Sequence, residues 1–291
     1  MPARLRVATA NLLHGIVLLP QPAGAGDGSA VGAAEGSAGG PAVGASNGPP
    51  GTVDAAALRR AGQVLDADVV AIQEVDVGQP RSGGVDQVAV IADGLGADHR
   101  VFAPTVSGTP GETWSPLVGA ARLGAVGPLY GIGLVSRYPV EDVEVVDLGN
   151  APVRVPLPRP DGRLMLVSDE PRAAILATVR TPVGPVSVAT THLSFVPGWN
   201  VVQLRRLGVA LRARPGPGLL LGDLNMLSSA TRLLRGFTSL ARVATYPATR
   251  PRIQFDHVLG AGLDPRSVSE VRVVRLPVSD HAALRVTLDL P

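Results

Sequence analysis

The 291-residue chain contains no cysteine. Disulfide frameworks, thiol nucleophiles, iron–sulfur clusters and cysteine-ligated zinc are therefore excluded, and any metal must sit on oxygen or imidazole ligands. Lysine is missing too, so all 26 basic residues are arginine. That removes the P-loop lysine, Schiff-base chemistry and lysine general bases. Aromatic residues make up only 3% of the chain. The arginines fall in scattered pairs such as Arg205 and Arg206 or Arg250 and Arg252, with no interleaved rings. This is neither a stacking platform nor a basic stripe for nucleic acid, and a net charge of +2 adds no argument for a polyanionic partner. No run approaches the ~20 apolar residues of a membrane span. Residues 12–20, followed by Ala23-Gly24-Ala25, imitate the end of a secretory signal, but Asn11 and His14 interrupt the run and its apolar part is too short. The expected location is the cytoplasm.

What is present suits a globular enzyme. Hydrophobic residues form 45% of the chain, and a chain of this length buries roughly 75% of its unfolded surface. The 35 glycines and 27 prolines fit GC-rich coding, and residues 21–51 are the stretch densest in glycine. That stretch lacks the apolar area to offset backbone ordering and is expected to be a disordered low-complexity loop. Its Gly44-Ala45-Ser46-Asn47-Gly48 matches the serine-hydrolase pattern G-x-S-x-G, yet no strand precedes it and no helix follows, so it is a decoy. Around the loop, the pattern predicts strands over 5–10, 69–72, 132–136, 143–148, 174–179, 186–189, 219–221, 258–259, 271–274 and 284–288. Helices are expected over 54–65, 87–95 with Asp86 as cap, 200–213 and 229–237. His99 reads as a solvated turn, and Trp114 and Trp199 as loop residues. No repeat recurs, and mixed strands with fewer helices point to an α/β sandwich, one domain spanning 1–291.

Polar residues interrupt the apolar runs at strand ends. Asn11 follows the first strand, Gln73-Glu74 ends the second, and Thr191-His192 closes the run from Val186. Asp223-Leu224-Asn225 follows Leu219–Leu221, and Asp280-His281 precedes the last strand. Singly, each is as good a cap or turn former as a catalytic group. Five together match the way α/β folds assemble sites at strand ends. Glu74, Asp223, Asp280 and the amides of Asn11 and Asn225 make an oxygen-rich set suited to Mg²⁺ or Mn²⁺. His192 and His281 add imidazoles able to donate to a phosphate or carry a proton. No H-E-x-x-H pair supports zinc. Metal-assisted hydrolysis of a phosphoester is the chemistry these residues favour.

In order along the chain, Ala8-Thr9-Ala10-Asn11, Ile72-Gln73-Glu74, Thr191-His192-Leu193, Gly222-Asp223-Leu224-Asn225, Phe255-Asp256-His257 and Ser279-Asp280-His281 resemble the motifs of the endonuclease/exonuclease/phosphatase superfamily. Its members include DNase I-like nucleases, AP endonucleases, sphingomyelinases and inositol polyphosphate phosphatases. The resemblance implies a four-layer sandwich, two packed mixed β-sheets flanked by helices. It implies Glu74, Asn11 and Asp280 as metal ligands, and Asp223 as the group that orients or deprotonates water. Asn225 would hold that water or a phosphate oxygen. His281 would act at the phosphate, oriented by Asp256, and His192 would stabilise developing charge.

Departures narrow the expectation. Thr191-His192-Leu193 and Phe255-Asp256-His257 stand where AP endonucleases carry other residues, which counts against abasic-site repair. Ile132 occupies a place where many phosphodiesterase relatives have Asn, so no polar contact is assigned there. Arg172 is a candidate phosphate clamp or equally a structural ion-pair partner, and Tyr130 is a candidate substrate contact or a strand aromatic. His257 should face away from Asp256 and pack. The expected protein is a divalent-metal-dependent phosphoesterase acting on phosphodiesters or phosphomonoesters, a monomer without a membrane span. The alternatives are a DNA or RNA nuclease of the same superfamily and a catalytically silent binding relative.

Overall fold

A computed structural model describes residues 3–18, 52–110, 112–158 and 164–290. The glycine-rich stretch 21–51, with its G-x-S-x-G decoy, lies outside them. The described residues form β1 (Ala3–Asn11), α1 (Ala55–Leu65), β2 (Val69–Val77), α2 (Gln87–Leu95), β3 (His99–Gly108), β4 (Trp114–Pro116), β5 (Leu129–Ser136) and β6 (Val140–Gly149). There follow β7 (Arg154–Pro158), β8 (Leu164–Ser168), β9 (Arg172–Thr181), β10 (Gly184–His192), α3 (Trp199–Arg212) and β11 (Gly218–Asp223). The last four are β12 (Thr238–Ser239), β13 (Asp256–Ala261), β14 (Val268–Val274) and β15 (Ala283–Leu290).

Two large mixed sheets result. One runs β14-β15-β1-β2-β5-β3-β4 and the other β12-β13-β11-β10-β9-β6, while β7 and β8 make a separate ribbon. The pairs β1/β2 and β10/β11 are parallel. Strand alternation explains the layering. Leu5 and Val7 of β1 and Val69 and Ala71 of β2 bury one face against Val186 and Val188 of β10 and Leu219 and Leu221 of β11. The opposite faces meet helices. Ala8, Ala10, Val70 and Ile72 pack on Leu58, Leu65 and Ile91 of α1 and α2, while Leu176, Ala189, Leu220 and Leu259 pack on Leu204, Leu207 and Leu211 of α3. Each fully buried Leu or Ile contributes about 2 kcal/mol. The architecture is the expected α/β sandwich.

Local chemistry sets the helix ends. The Asp54 carboxylate accepts from Ala56 N and that of Asp86 from Ala89 N, so both helices start on an acidic cap. The helix expected over 229–237 is reduced to a 3₁₀ turn at Ala230–Leu233. Gly236 takes a φ of +81° and ends the segment, and Leu234 turns back to pack in the α3 layer. β2 runs past Ile72 to Val77, so Glu74 lies within a strand rather than at its end. His99 opens β3 because it pairs with Ser136 of β5. Trp114 and Trp199 likewise open β4 and α3 instead of lying in loops.

α1 and α2 touch through glycines. A Cβ on Gly94 would come within 2.1 Å of Arg59 O, and one on Gly62 within 2.5 Å of Ile91 O. An alanine normally stabilises a helix by about 1 kcal/mol over glycine. Backbone contact on the partner helix reverses that sign. Gly94→Ala is therefore expected to destabilise the fold by about 2–4 kcal/mol, measured as a lower denaturation midpoint with an unchanged slope. A midpoint equal to or above that of the unaltered chain would refute the close approach.

Candidate active site

The site begins where inward-facing positions stop being aliphatic. In β1 the inward series Leu5, Val7, Thr9 ends in Asn11; in β10, Val186, Val188, Thr190 ends in His192. Leu219 and Leu221 of β11 lead to Asp223, and Val258 of β13 is preceded two residues earlier by Asp256. Parallel pairing sets Asn11 level with Gln73 and His192 level with Asp223, and antiparallel pairing sets Asp223 opposite Asp256. The strand ends thus deliver their polar groups to one end of the sandwich. His257 takes the other face, fully buried, with Nε2 hydrogen-bonded to Met226 O at 2.9 Å. This is the packing position expected for it.

Glu74 reaches the site by a different device. The ladder between β2 and β5 slips between Ile72 and Val75, and Glu74 takes a left-handed φ of +55°. Ile72 and Val75 then both face the helical layer. The bulge turns the Glu74 side chain toward Asn11.

Asn11 joins the two sheets. Its Nδ2 donates to Glu74 Oε1 at 2.9 Å and to Asp223 Oδ2 at 3.1 Å, and its Oδ1 accepts from Leu13 N. Asp223 Oδ2 also faces His192 Nε2 at 3.8 Å and His281 Nε2 at 3.9 Å. Burial raises the Asp223 carboxyl above its ordinary value, and the charge of Asp256 adds to the shift. Asn225, at a φ of +49°, donates its backbone N to Asp223 Oδ1 at 2.9 Å. Its Nδ2 donates to Leu193 O at 2.9 Å and lies 3.1 Å from His192 Nε2. The carbonyl fixes which end of the amide is Nδ2, so His192 Nε2 accepts and carries no proton.

His281 stands in the opposite state. Its Nδ1 lies 2.9 Å from Asp256 Oδ2, which also accepts from Thr245 Oγ1 at 2.6 Å. The Tyr246 ring packs against it with centroids 4.8 Å apart. Burial works against the charged ring, but the hydrogen bond and charge of Asp256 outweigh it, with Asp223 and Asp280 adding, and the imidazole is pushed up to about 9. Burial instead holds His192 well below its usual value, and the charges of Arg172 and His281 push the same way.

The remaining predicted residues border this centre. Arg172 is buried and ion-paired with Asp169, at 3.1 Å from Nη2 and 3.3 Å from Nε. It lines a narrow slot together with Tyr130, Glu170 and His192. Tyr130 is buried with the Arg81 guanidinium 5.5 Å from its ring centre. Ile132 belongs to the inter-sheet core, in keeping with the absence of a polar contact there. Three partners carry no signal strong enough to pick them from the sequence: Thr245 and Tyr246 sit in an irregular segment, and Glu170 stands out only as part of Glu170-Pro171-Arg172.

The donor set suits a hard cation. Burial raises the Glu74 carboxyl and its bond from Asn11 opposes the shift; the negative charges of Glu170 and Asp280 reinforce it, and the charge of His281 works against it. Among the described residues no arginine is ion-paired with Glu74, Glu170 or Asp280; the positive charges that act on them are those of His281 on Glu74 and Asp280 and of Arg172 and Arg81 on Glu170. Asp223, Asp256 and His281 also place ligand atoms within 4.8 Å of one another, but Asp256 Oδ2 is engaged by His281 Nδ1. The Glu74 side of the site is the better place for oxygen-loving Mg²⁺ or Mn²⁺.

The His192 bonding has a direct spectroscopic consequence. With a folded-state pKa below the ordinary 6.5, its ring stays neutral and protonated on Nδ1 at pH 6 in the metal-free protein. Nitrogen-15 imidazole shifts of a neutral Nδ1–H tautomer are expected, and a charged ring at that pH would refute the assignment.

The sequence model described as the Endonuclease/Exonuclease/phosphatase family matches residues 8–281. An endonuclease/exonuclease/phosphatase from Beutenbergia cavernae superposes with a TM-score of 0.61 at 25% identity, covering 99% of this chain and 72% of that one. One from Bacteroides vulgatus gives 0.59 at 16% identity, covering 99% and 100%. A humanized D. rerio TDP2 gives 0.53 at 13% identity, covering 98% of both chains. Comparison with curated protein sequences gives no match.

Proposed function

The chain belongs to the endonuclease/exonuclease/phosphatase family, and from that premise we propose that it is a divalent-metal-dependent phosphoesterase, cleaving phosphodiester or phosphomonoester bonds with water. The observation that carries this reading is the placement of Asp223 Oδ2 between two imidazole nitrogens, 3.8 and 3.9 Å away, while one amide ties it to Glu74. A base, two groups able to face phosphoryl oxygens and a carboxylate cluster meet in one place. Those are the parts that phosphoryl transfer to water requires.

Glu74, Asn11 and Asp280 would hold Mg²⁺ or Mn²⁺, which when bound supplies charge neutralisation at a phosphoryl oxygen. Asp223, made more basic by burial beside Asp256, takes the proton of the attacking water. Asn225 has given its amide protons to Leu193 O and His192, so it offers Oδ1 to that water rather than a proton to the phosphate. His281, held by Asp256 in its protonated form, faces the phosphoryl oxygens as a donor. From Nε2, His192 can donate only by exchanging its Asn225 bond for a proton, a change that an incoming anion favours by stabilising the charged ring. Arg172 and Tyr130, on the slot that also borders His192, are the substrate-binding side chains. Sparse arginine and aromatic groove elements argue against a nucleic-acid duplex as the substrate.

Hydrolysis of bis-p-nitrophenyl phosphate tests this. Activity is expected to vanish in EDTA and return with Mg²⁺ or Mn²⁺, and Asp223→Asn or His281→Ala should lower kcat by about 10²-fold or more. Hydrolysis that survives both chelation and these substitutions would overturn the mechanism.

A further inference from the structure

α3 buries two amides where its stripe calls for aliphatic side chains. Leu204, Leu207 and Leu211 pack on the six-stranded sheet, and the same side of the helix continues toward its start through Gln203 and Asn200, 1% and 3% exposed. Neither amide takes part in the chemistry described above. A buried amide is tolerated only with its hydrogen bonds made, so the partners of these two define what they do.

Gln203 Oε1 accepts from Ser194 N at 2.8 Å, and its Nε2 donates to Gly149 O at 2.8 Å. Asn200 Nδ2 donates to Asn225 O at 2.8 Å. All three partners are main-chain groups at the catalytic end of the six-stranded sheet. Asn225 lies two residues past the end of β11, Ser194 two residues past the end of β10, and Gly149 is the last residue of β6.

Strand pairing weakens at this level. The ladder between β9 and β10 stops at Thr191 opposite Ala174, one residue short of His192. That between β6 and β9 slips just before its last pair, Gly149 opposite Arg172. The Gln203 amide therefore joins β10 to β6 across β9 where His192 and Arg172 stand. Asn225 also needs an outside hold, because its φ of +49° is a left-handed backbone that an L-residue keeps only when its surroundings fix it.

We propose that Asn200 and Gln203 are positioning residues of the site, the first turn of α3 holding the exits of three strands in place. Asn200 fixes Asn225, whose side-chain amide meets His192 Nε2. Gln203 fixes the spacing of His192 and Arg172 along the slot that both line. The role of Gln203 toward substrate rests on the phosphoesterase reading, whereas that of Asn200 toward His192 does not.

Two variants of the full chain test this. In metal-free Asn200→Ala at pH 6, the nitrogen-15 pattern of a single neutral Nδ1–H tautomer at His192 is expected to be lost, while the charged pattern of His281 stays. A merely structural amide would lower the denaturation midpoint and leave both rings unchanged. In Gln203→Leu, which keeps the volume and removes both bonds, KM for bis-p-nitrophenyl phosphate with Mg²⁺ is expected to rise about tenfold, with kcat within about threefold. Should either fail to fold, Asn200→Ser, too short to reach Asn225 O, and Gln203→Glu, without a donor for Gly149 O, decide in the same direction. The proposal is overturned by an unaltered His192 pattern in a folded Asn200 variant, by absence of that pattern from the unaltered chain, or by a KM within about twofold in a folded Gln203 variant. No hydrolysis by the unaltered chain refutes the phosphoesterase reading instead, and the His192 pattern then decides alone.

Discussion

Asn11 gives one amide proton to Glu74 of its own sheet and the other to Asp223 of the facing sheet. Packed sheets lie about 10 Å apart, and this is the place where a side chain closes the gap with polar groups instead of aliphatic ones. Two carboxylates brought this close would repel, and a neutral double donor between them offsets that repulsion. Both amide protons are thus used, and the oxygen accepts one bond, from Leu13 N, which leaves its second lone pair free. Any shift of one sheet against the other must therefore break a hydrogen bond at the site, and the aliphatic core below resists such a shift by close packing.

The same alternation that builds the core builds the site. Positions facing inward are aliphatic for as long as the partner sheet covers them, and they turn polar at the level where cover ends. Asp256 and His257 illustrate how strict the rule is. One enters the site and bonds His281, while its neighbour, one residue along, is buried on the helical side and bonds Met226 O. A polar group left in mid-strand without a partner would cost about 1–3 kcal/mol, so the strand ends are the economical location for so many of them. The ion-paired arginines at the far end obey the same geometry on the outer face, where helical cover stops and Arg4 and Arg6 precede Ala8 and Ala10 along β1.

Much of this is legible in the sequence. Apolar runs with period two locate the central strands, acidic caps at Asp54 and Asp86 locate two helix starts, and the polar residues that close those runs are the ones that meet in space. Other features depend on contacts distant in the chain. The bulge at Glu74 leaves no local mark, since Gln73-Glu74 reads equally well as a strand end. β3 holds Pro104, which weakens a strand pattern, and it forms because β5 offers it a partner. Thr245 and Tyr246 act on Asp256 and His281 from an irregular segment that only the fold brings near. The turn at Ala230–Leu233 carries apolar spacing for a helix, but Gly236 and the packing of Leu234 on the α3 layer prevail.

The two site histidines show how far environment, rather than residue type, assigns a role. Both are buried, and burial alone disfavours a charged imidazole in each. His281 escapes because Asp256 sits on its Nδ1 and Thr245 holds that carboxylate in turn. His192 has no carboxylate within hydrogen-bond distance, has the cationic Arg172 nearby, and accepts a hydrogen bond from Asn225. One ring is thus charged at neutral pH and the other is not, although both face the same Asp223 oxygen at almost equal distance. If both were charged, their mutual repulsion and their pull on Asp223 would weaken it as a base. With one charged and one neutral, the site keeps a donor for a phosphoryl oxygen while leaving Asp223 able to take a proton.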